Sequence, residues 1–358
     1  MQNSKRAFAV IDADVHPMLD GRQVQEALPE PWRSRWAKGQ RGAGHGYMNP
    51  SGGANRTDAL TPDGKLIAHD PHSLSQYFFD EMGLEYGILN PAELSFALLP
   101  NEDYTVAIAK ARNDVLIEHW LPVDARFYGS LVISALDPQA AAQEIRRVGS
   151  HPQIAQVLMA SAARMPYGNK FYWPIYEAAQ ELDLPVAIHP GTESAGVSWP
   201  STPAGYATSY FEWHSGLALN YIAHLISLLL EGTFVKFPQL KFVLIEGGVC
   251  WLPPLLWRLD KNWKGLRMET PWLEEPPSRY AHEHIFLTTQ PIEEPENPAH
   301  FKAMLEMFPA DKMLMFSTDF PHWDGDTPDF TGRLLPNELK ERIMSESARE
   351  LYKLPVKA

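Results

Sequence analysis

Apolar runs that each break off on a metal-binding or proton-carrying side chain occur at four places in this chain, and few folds accommodate that pattern. One run begins at Phe8 and delivers Asp14 and His16. A second, from Leu184, ends on His189. A third, Phe242 to Ile245, ends on Glu246 and then breaks on Gly247 and Gly248. The fourth, from Lys312, ends on Asp319, with His322 three residues further on. A strand that is apolar on both faces belongs in a parallel sheet covered on both sides. A carboxylate or imidazole at its last position is then presented at one rim of that sheet, and paired glycines let the backbone turn tightly beside it. Alternation along the first strand puts Asp12, Asp14 and His16 on one face, with Asp12 in a lower layer.

Helical and strand patterns alternate along the rest of the chain. Strands are expected at residues 8–15, 85–89, 127–134, 154–160, 184–189, 241–246, 283–290 and 312–319, with amphipathic helices between them and a closing helix at 337–351. Asp137 followed by Pro138 is a cap-and-proline helix start. This is the order of a (β/α)8 TIM barrel, whose reactive residues collect at the C-terminal ends of the strands. Residues 17–71, rich in Gly, Pro, Asn and Arg, form a long insertion after strand one, read as a lid or an interface. A chain of 358 residues with 45% hydrophobic content can fill one such barrel over residues 1–358 as a single domain.

The formal net charge of -13 argues against nucleic acid or an anionic membrane as a partner. The single cysteine, Cys250, excludes an intrachain disulfide framework and reads as a packed thiol. Neither a signal-peptide core nor an apolar run long enough to span a bilayer stands out, so the cytoplasm is the expected address.

Imidazole and carboxylate ligands together suit zinc, manganese or iron, and a catalytic metal needs about three or four protein ligands plus an open position. Asp14, His16, His189 and Asp319 supply that number. Singly, each would read as a packed histidine or a helix-capping aspartate; delivered from separate strand ends, they read as a divalent metal site, zinc first.

The residues around Asp14 and His16, the Ile188 to Gly191 stretch, the segment from Phe237 to Gly248 and the Phe316 to Trp323 motif together resemble the amidohydrolase superfamily. The resemblance is to its amidohydrolase-related branch, which contains aminocarboxymuconate semialdehyde decarboxylase and gamma-resorcylate decarboxylase, and it covers nearly the whole chain. It implies one metal held by Asp14, His16, His189 and Asp319, with Asp14 in place of the usual first ligand, and it favours a homo-oligomer. Glu246 departs from the branch, which carries a histidine there. A carboxylate at that position can act as a general base if its pKa is raised, or bind a metal. Arg258 lies one residue from where the resemblance places an arginine for the substrate carboxylate; an ion pair with Asp260 is the alternative.

Glu246, Asp319 and His322 are therefore the candidate catalytic residues, and Arg164, Arg258 and Gln290 the candidate substrate contacts. Tyr47, Trp199, Tyr206 and Phe211 are candidates for an aromatic wall. His45 reads as surface or packing and His224 as core. The leading expectation is a metal-dependent decarboxylase or hydrolase acting on a small, aromatic or unsaturated carboxylic acid. The alternatives are a dinuclear hydrolase or iron-dependent oxygenase with Glu246 as an extra ligand, and a noncatalytic partner subunit.

Overall fold

A computed structural model describes residues 8–44, 55–91 and 93–356; His45 and Tyr47 lie outside the described residues. Eight parallel strands follow one another around a ring: β1 (Ile11–Val15), β2 (Tyr86–Leu89), β3 (Phe127–Val132), β4 (Ile154–Ala160), β5 (Val186–His189), β6 (Phe242–Leu244), β7 (Ile285–Thr288) and β8 (Leu314–Met315). Each pairs with the next in sequence, as right-handed strand–helix–strand units require. Backbone bonds bring β8 back to β1. The Ala13 N–H donates to the Phe316 carbonyl at 2.9 Å, His16 N–H to the Phe320 carbonyl at 2.9 Å, and Asp319 N–H to the Asp14 carbonyl at 3.1 Å. The result is the (β/α)8 barrel that the alternation of patterns predicts.

The sequence also places the helices, with shifts at their ends. Asp137 caps the helix Pro138–Val148 by accepting from the Gln139 and Ala140 N–H groups. After β2, the helix Glu102–Val115 continues into a wider turn, Leu116–Trp120. The strand expected from residue 283 starts at Ile285, because the helix Pro277–His284 runs directly into it. The insertion after β1 is more structured than its composition suggests, carrying the helices Gly21–Ala27 and Trp32–Ala37.

Apolar strand residues such as Val157, Ile188, Phe242, Leu244 and Leu287 are fully buried in the main core. Truncating one of them to alanine costs about 2–5 kcal/mol, so the barrel wall is a stiff mount for whatever its strand ends carry. The floor is closed by the last helix, Ser347–Tyr352. Arg349 Nη2 meets Glu85 Oε2 at 2.6 Å just before β2, and the Tyr352 hydroxyl reaches Gln156 in the barrel interior at 3.0 Å.

Candidate metal centre

Asp14, His16, His189, Glu246 and Asp319 are all buried, and each offers a ligand atom within 4.8 Å of the others. The strand ends explain the convergence. Asp14 lies in β1 with His16 just beyond it, and His189 is the last residue of β5. Glu246 and Asp319 stand beyond the ends of β6 and β8 on backbones with φ of 60° and 56°. That left-handed conformation is uncommon for a residue with a Cβ and turns the side chain away from the path a continued strand would give it. Two further side chains hold the turn at Glu246. Its N–H donates to Thr288 Oγ1 at 2.9 Å, and Glu293 accepts from the Val249 and Cys250 N–H groups just downstream.

The hydrogen bonds around the cluster fix which ring nitrogens face inward. His16 Nδ1 lies 2.8 Å from the Asn90 carbonyl, and His189 Nδ1 lies 2.9 Å from the Pro190 carbonyl. A carbonyl only accepts, so Nδ1 carries a proton in both rings, and Nε2 is the ring nitrogen turned into the cluster, with its lone pair available to a metal when that nitrogen is unprotonated. There these nitrogens meet carboxylate oxygens. His16 Nε2 is 2.7 Å from Asp319 Oδ1 and 3.6 Å from Asp14 Oδ1, while His189 Nε2 is 3.6 Å from Asp14 Oδ2 and 3.0 Å from Glu246 Oε2. The His189 to Glu246 contact is short but lacks hydrogen-bond alignment. Asp14 Oδ2, His189 Nε2 and Asp319 Oδ2 are buried with no hydrogen-bond partner among the described residues.

Lone pairs that face one another in a buried site repel unless a positive charge lies between them. Ligand atoms around one ion at ~2.1 Å stand about 3–4 Å apart, and the nitrogen–oxygen contacts above, at 2.7, 3.0 and 3.6 Å, are close to that spacing. Three carboxylates and two imidazoles therefore fit a divalent cation by chemistry and by geometry.

The ionisation of these groups carries the same message. Burial opposes a charge on His189, but Asp14 and Glu246 overcome that and hold its pKa well above the ordinary value. Burial, reinforced by the nearby Asp319 charge, raises Glu246. Asp319 is buried too, yet His322 and His16 hold it well below the usual carboxylate range. His322 Nδ1 lies 2.7 Å from Asp319 Oδ1, and despite burial that carboxylate pushes the imidazole up to about 9. A proton thus occupies positive ground that a cation would otherwise take, and a metal entering the cluster displaces it.

The amidohydrolase family profile matches residues 11–354. The chain belongs to the amidohydrolase family. Among its sequence relatives are the gamma-resorcylate decarboxylase of Rhodococcus jostii (strain RHA1), 27% identical over 68% of this chain and 74% of that protein, and the gamma-resorcylate decarboxylase of Polaromonas sp. (strain JS666), 26% identical over 77% and 85%. Among solved structures, a dihydroxybenzoic acid decarboxylase from Polaromonas sp. JS666 with bound manganese and the inhibitor 2-nitroresorcinol superposes with a TM-score of 0.66. It is 20% identical, and the match covers 97% of each chain. At that identity the likeness is one of fold.

Against this amidohydrolase barrel the remaining sequence candidates separate. Gln290 is buried beyond β7. Its Nε2 donates to Asp324 Oδ2 at 2.9 Å, and its Oε1 has no partner among the described residues. Arg164 is bound to Glu102 at 2.8 Å, half-exposed and outside the ligand cluster. Arg258 is exposed on the helix Leu252–Leu266, and no described ion pair joins it to Asp260, which accepts from Ser278 instead. Trp199, Tyr206 and Phe211 are exposed.

Several supporting residues escape sequence reasoning. Beyond the ends of β5 and β8, Tyr210 stacks on His214 and Trp323 packs against it at a tilt, with His214 Nε2 3.1 Å from Asp324 Oδ2. Glu193 gathers the loop after β5 by accepting from the Gly191 and Thr192 N–H groups, Trp213 Nε1 and the Ser161 hydroxyl. A single carboxylate two residues past an His-Pro-Gly sequence was the only hint of that role.

Proposed function

We propose that this protein is a metal-dependent decarboxylase of a small aromatic carboxylic acid, with one divalent ion held by Asp14, His16, His189, Glu246 and Asp319. The observation that carries the reading is the buried five-residue ligand cluster. Its sequence relatives include gamma-resorcylate decarboxylases, which supports the substrate class. All five ligand atoms lie within 4.8 Å of one another, which suits a single ion better than two, because a second ion needs terminal ligands of its own. Five ligands, three of them carboxylates, favour six-coordinate manganese or iron over the tetrahedral zinc first expected.

An ion held by these five residues would supply a Lewis acid for an anionic oxygen of the substrate. The rest falls to the chain. Decarboxylation breaks the bond between a ring carbon and the carboxylate, leaves the electron pair on the ring, releases carbon dioxide and requires a proton at that carbon. His322 is suited to deliver it: its Nδ1 is engaged by Asp319, its ring lies 4.6 Å from that of His16, and its side chain keeps 21% exposure. Asp319 orients that ring and balances its charge. Glu246, whose Oε2 lies 3.0 Å from His189 Nε2 within the ligand cluster, would hold the ion. Gln290, whose buried Oε1 has no partner among the described residues, would accept a substrate hydroxyl.

Manganese-loaded protein incubated with 2,6-dihydroxybenzoate and other hydroxybenzoic acids is expected to release carbon dioxide and the corresponding phenol. Full metal occupancy with no release from any hydroxylated aromatic acid would overturn the proposal.

A further inference from the structure

The strongest unassigned feature is a chain of buried side chains that runs from the metal ligands down through the barrel to its floor. Asn90, just past β2, touches both ligand residues supplied by the β1 segment. Its backbone carbonyl accepts from His16 Nδ1 at 2.8 Å, and its side-chain Nδ2 donates to Asp14 Oδ1 at 2.8 Å and to the Ala13 carbonyl at 3.0 Å. On the other side its Oδ1 accepts from the Ser130 hydroxyl and from Gln156 Nε2 at 3.1 Å. Gln156 Nε2 also donates to Ser130 Oγ at 3.0 Å, and Gln156 Oε1 accepts from the Tyr352 hydroxyl at 3.0 Å. Asn90, Ser130 and Gln156 are fully buried, and Tyr352 nearly so.

The polarity of this chain is fixed at one end. A carbonyl accepts and never donates, so the Asn90 atom facing Ala13 is the amide nitrogen, and the same NH2 faces Asp14. The Asn90 oxygen then faces Gln156, which must answer with its own NH2 and so turn its oxygen to Tyr352. Every link is determined by the one before it. Satisfied buried networks of this kind hold their members in one arrangement, because any rotated amide would leave several buried groups unpaired.

The consequence lies at Asp14. With Oδ1 held by Asn90, its Oδ2 is the oxygen left without a partner and turned toward His189 Nε2, 3.6 Å away. The contact to His16 fixes that ring in the Nδ1–H tautomer, so one residue prepares two ligands.

We propose that Asn90 is the positioning residue for Asp14 and His16, and that Gln156 and Tyr352 hold its amide in the orientation a metal ion requires. This rests on the metal reading above and extends it to a tyrosine on the last helix, at the opposite end of the barrel from the site.

The test is titration of the metal-free, full-length protein with Mn2+, followed by electron paramagnetic resonance of free and bound ion, alongside thermal melts of the metal-free forms. In Asn90→Asp an oxygen replaces the NH2 facing Asp14, and Mn2+ affinity is expected to fall about 10–100-fold, the usual cost of losing a group that orients a ligand. Tyr352→Phe keeps the ring and removes the donor; it is expected to weaken Mn2+ binding roughly threefold or more and to alter the bound-ion spectrum. Thr105→Val deletes a buried bond outside this chain, the 2.7 Å contact to Ser134, and is expected to lower the melting temperature with no change in affinity. Should Asn90→Asp fail to fold, Tyr352→Phe decides. Parent-like affinity and spectrum in the folded variants would overturn the positioning role while leaving the metal site intact. A parent protein that binds neither Mn2+, Fe2+ nor Zn2+ would overturn both.

Discussion

Glu246 and Asp319 bring carboxylate oxygens within 4.8 Å of each other from backbones that share the same left-handed conformation, φ 60° and 56°. Each such conformation costs on the order of 1–3 kcal/mol and persists only where its surroundings hold it. Here Thr288 Oγ1 accepts the Glu246 N–H and the Asp14 carbonyl accepts the Asp319 N–H. Two buried like charges on two strained residues stabilise nothing by themselves. Their arrangement makes sense as a receptacle for positive charge.

The first prediction follows from that opposition. Glu246→Gln keeps the shape and removes one charge, so the metal-free variant is expected to melt higher than the metal-free parent by ~2 °C or more. With saturating Mn2+ the order reverses, because the parent gains more from ion binding than a variant with a weaker ligand. Melts with chelator and with Mn2+ check both signs. A variant no more stable than the parent without metal would remove the charge-repulsion argument.

His322 gives a prediction with the opposite signature. It touches Asp319 but is outside the ligand set, so His322→Gln is expected to retain full metal content and lose turnover by about 10²–10⁴-fold. Metal analysis and single-turnover assays on the same sample distinguish proton delivery from ligand support. Loss of metal in step with activity would reassign His322 to holding the ion.

Much of this site is legible in the sequence because the barrel obeys a simple rule: a strand covered on both faces reads as an apolar run, and its next polar residue stands at the rim. That rule finds Asp14, His16, His189, Glu246 and Asp319. It fails where function depends on which strand lies beside which. Asn90 followed by Pro91 reads as a turn, and Gln156 reads as an interruption in β4. Only the closed ring shows that β1, β2, β3 and β4 set Asp14, Asn90, Ser130 and Gln156 side by side. Tyr352 is less legible still, since nothing local marks a helix-end tyrosine as a partner for the barrel interior. Arg164 and Arg258 stand out for the converse reason: charge is visible in a sequence, but the Glu102 that engages Arg164 is 62 residues away.

Acid stability should report on a histidine remote from the metal. His224 accepts from the Tyr167 N–H through Nδ1 at 3.1 Å, and its Nε2 lies 2.6 Å from the Ser161 carbonyl, an arrangement suited to the neutral ring. Burial drives its pKa down from 6.5 to about 4. The folded value is depressed, so its contribution is present above pH 6.5 and is lost as pH falls from 6.5 through about 4. The loss is on the order of 3 kcal/mol in total. Urea midpoints at pH 7 and pH 4.5 are expected to differ more for the parent than for His224→Gln. Equal pH slopes would show that the protonation of other groups governs acid unfolding.

The last prediction concerns how an anionic substrate is held when the ligand cluster is itself acidic. Three carboxylates and one divalent ion leave a formal charge of about -1, which the His322 imidazolium beside Asp319 only balances, so a substrate carboxylate needs a further cation from the protein. Arg164 is the sequence candidate nearest the end of β4, and it is engaged by Glu102 at 2.8 Å with both side chains roughly 40% exposed. An ion pair that open contributes about 0–1 kcal/mol to stability, so it can be exchanged for a substrate at little cost. Arg164→Met is then expected to raise KM about tenfold or more with kcat and melting temperature little changed. Glu102→Gln frees the guanidinium and is expected to lower KM. The two variants move in opposite directions only if the arginine leaves its partner for the substrate, and steady-state kinetics on the pair reads this directly. Unchanged KM in both would return Arg164 to a surface ion pair and leave Arg258 and Gln290 as the sequence candidates for substrate contact.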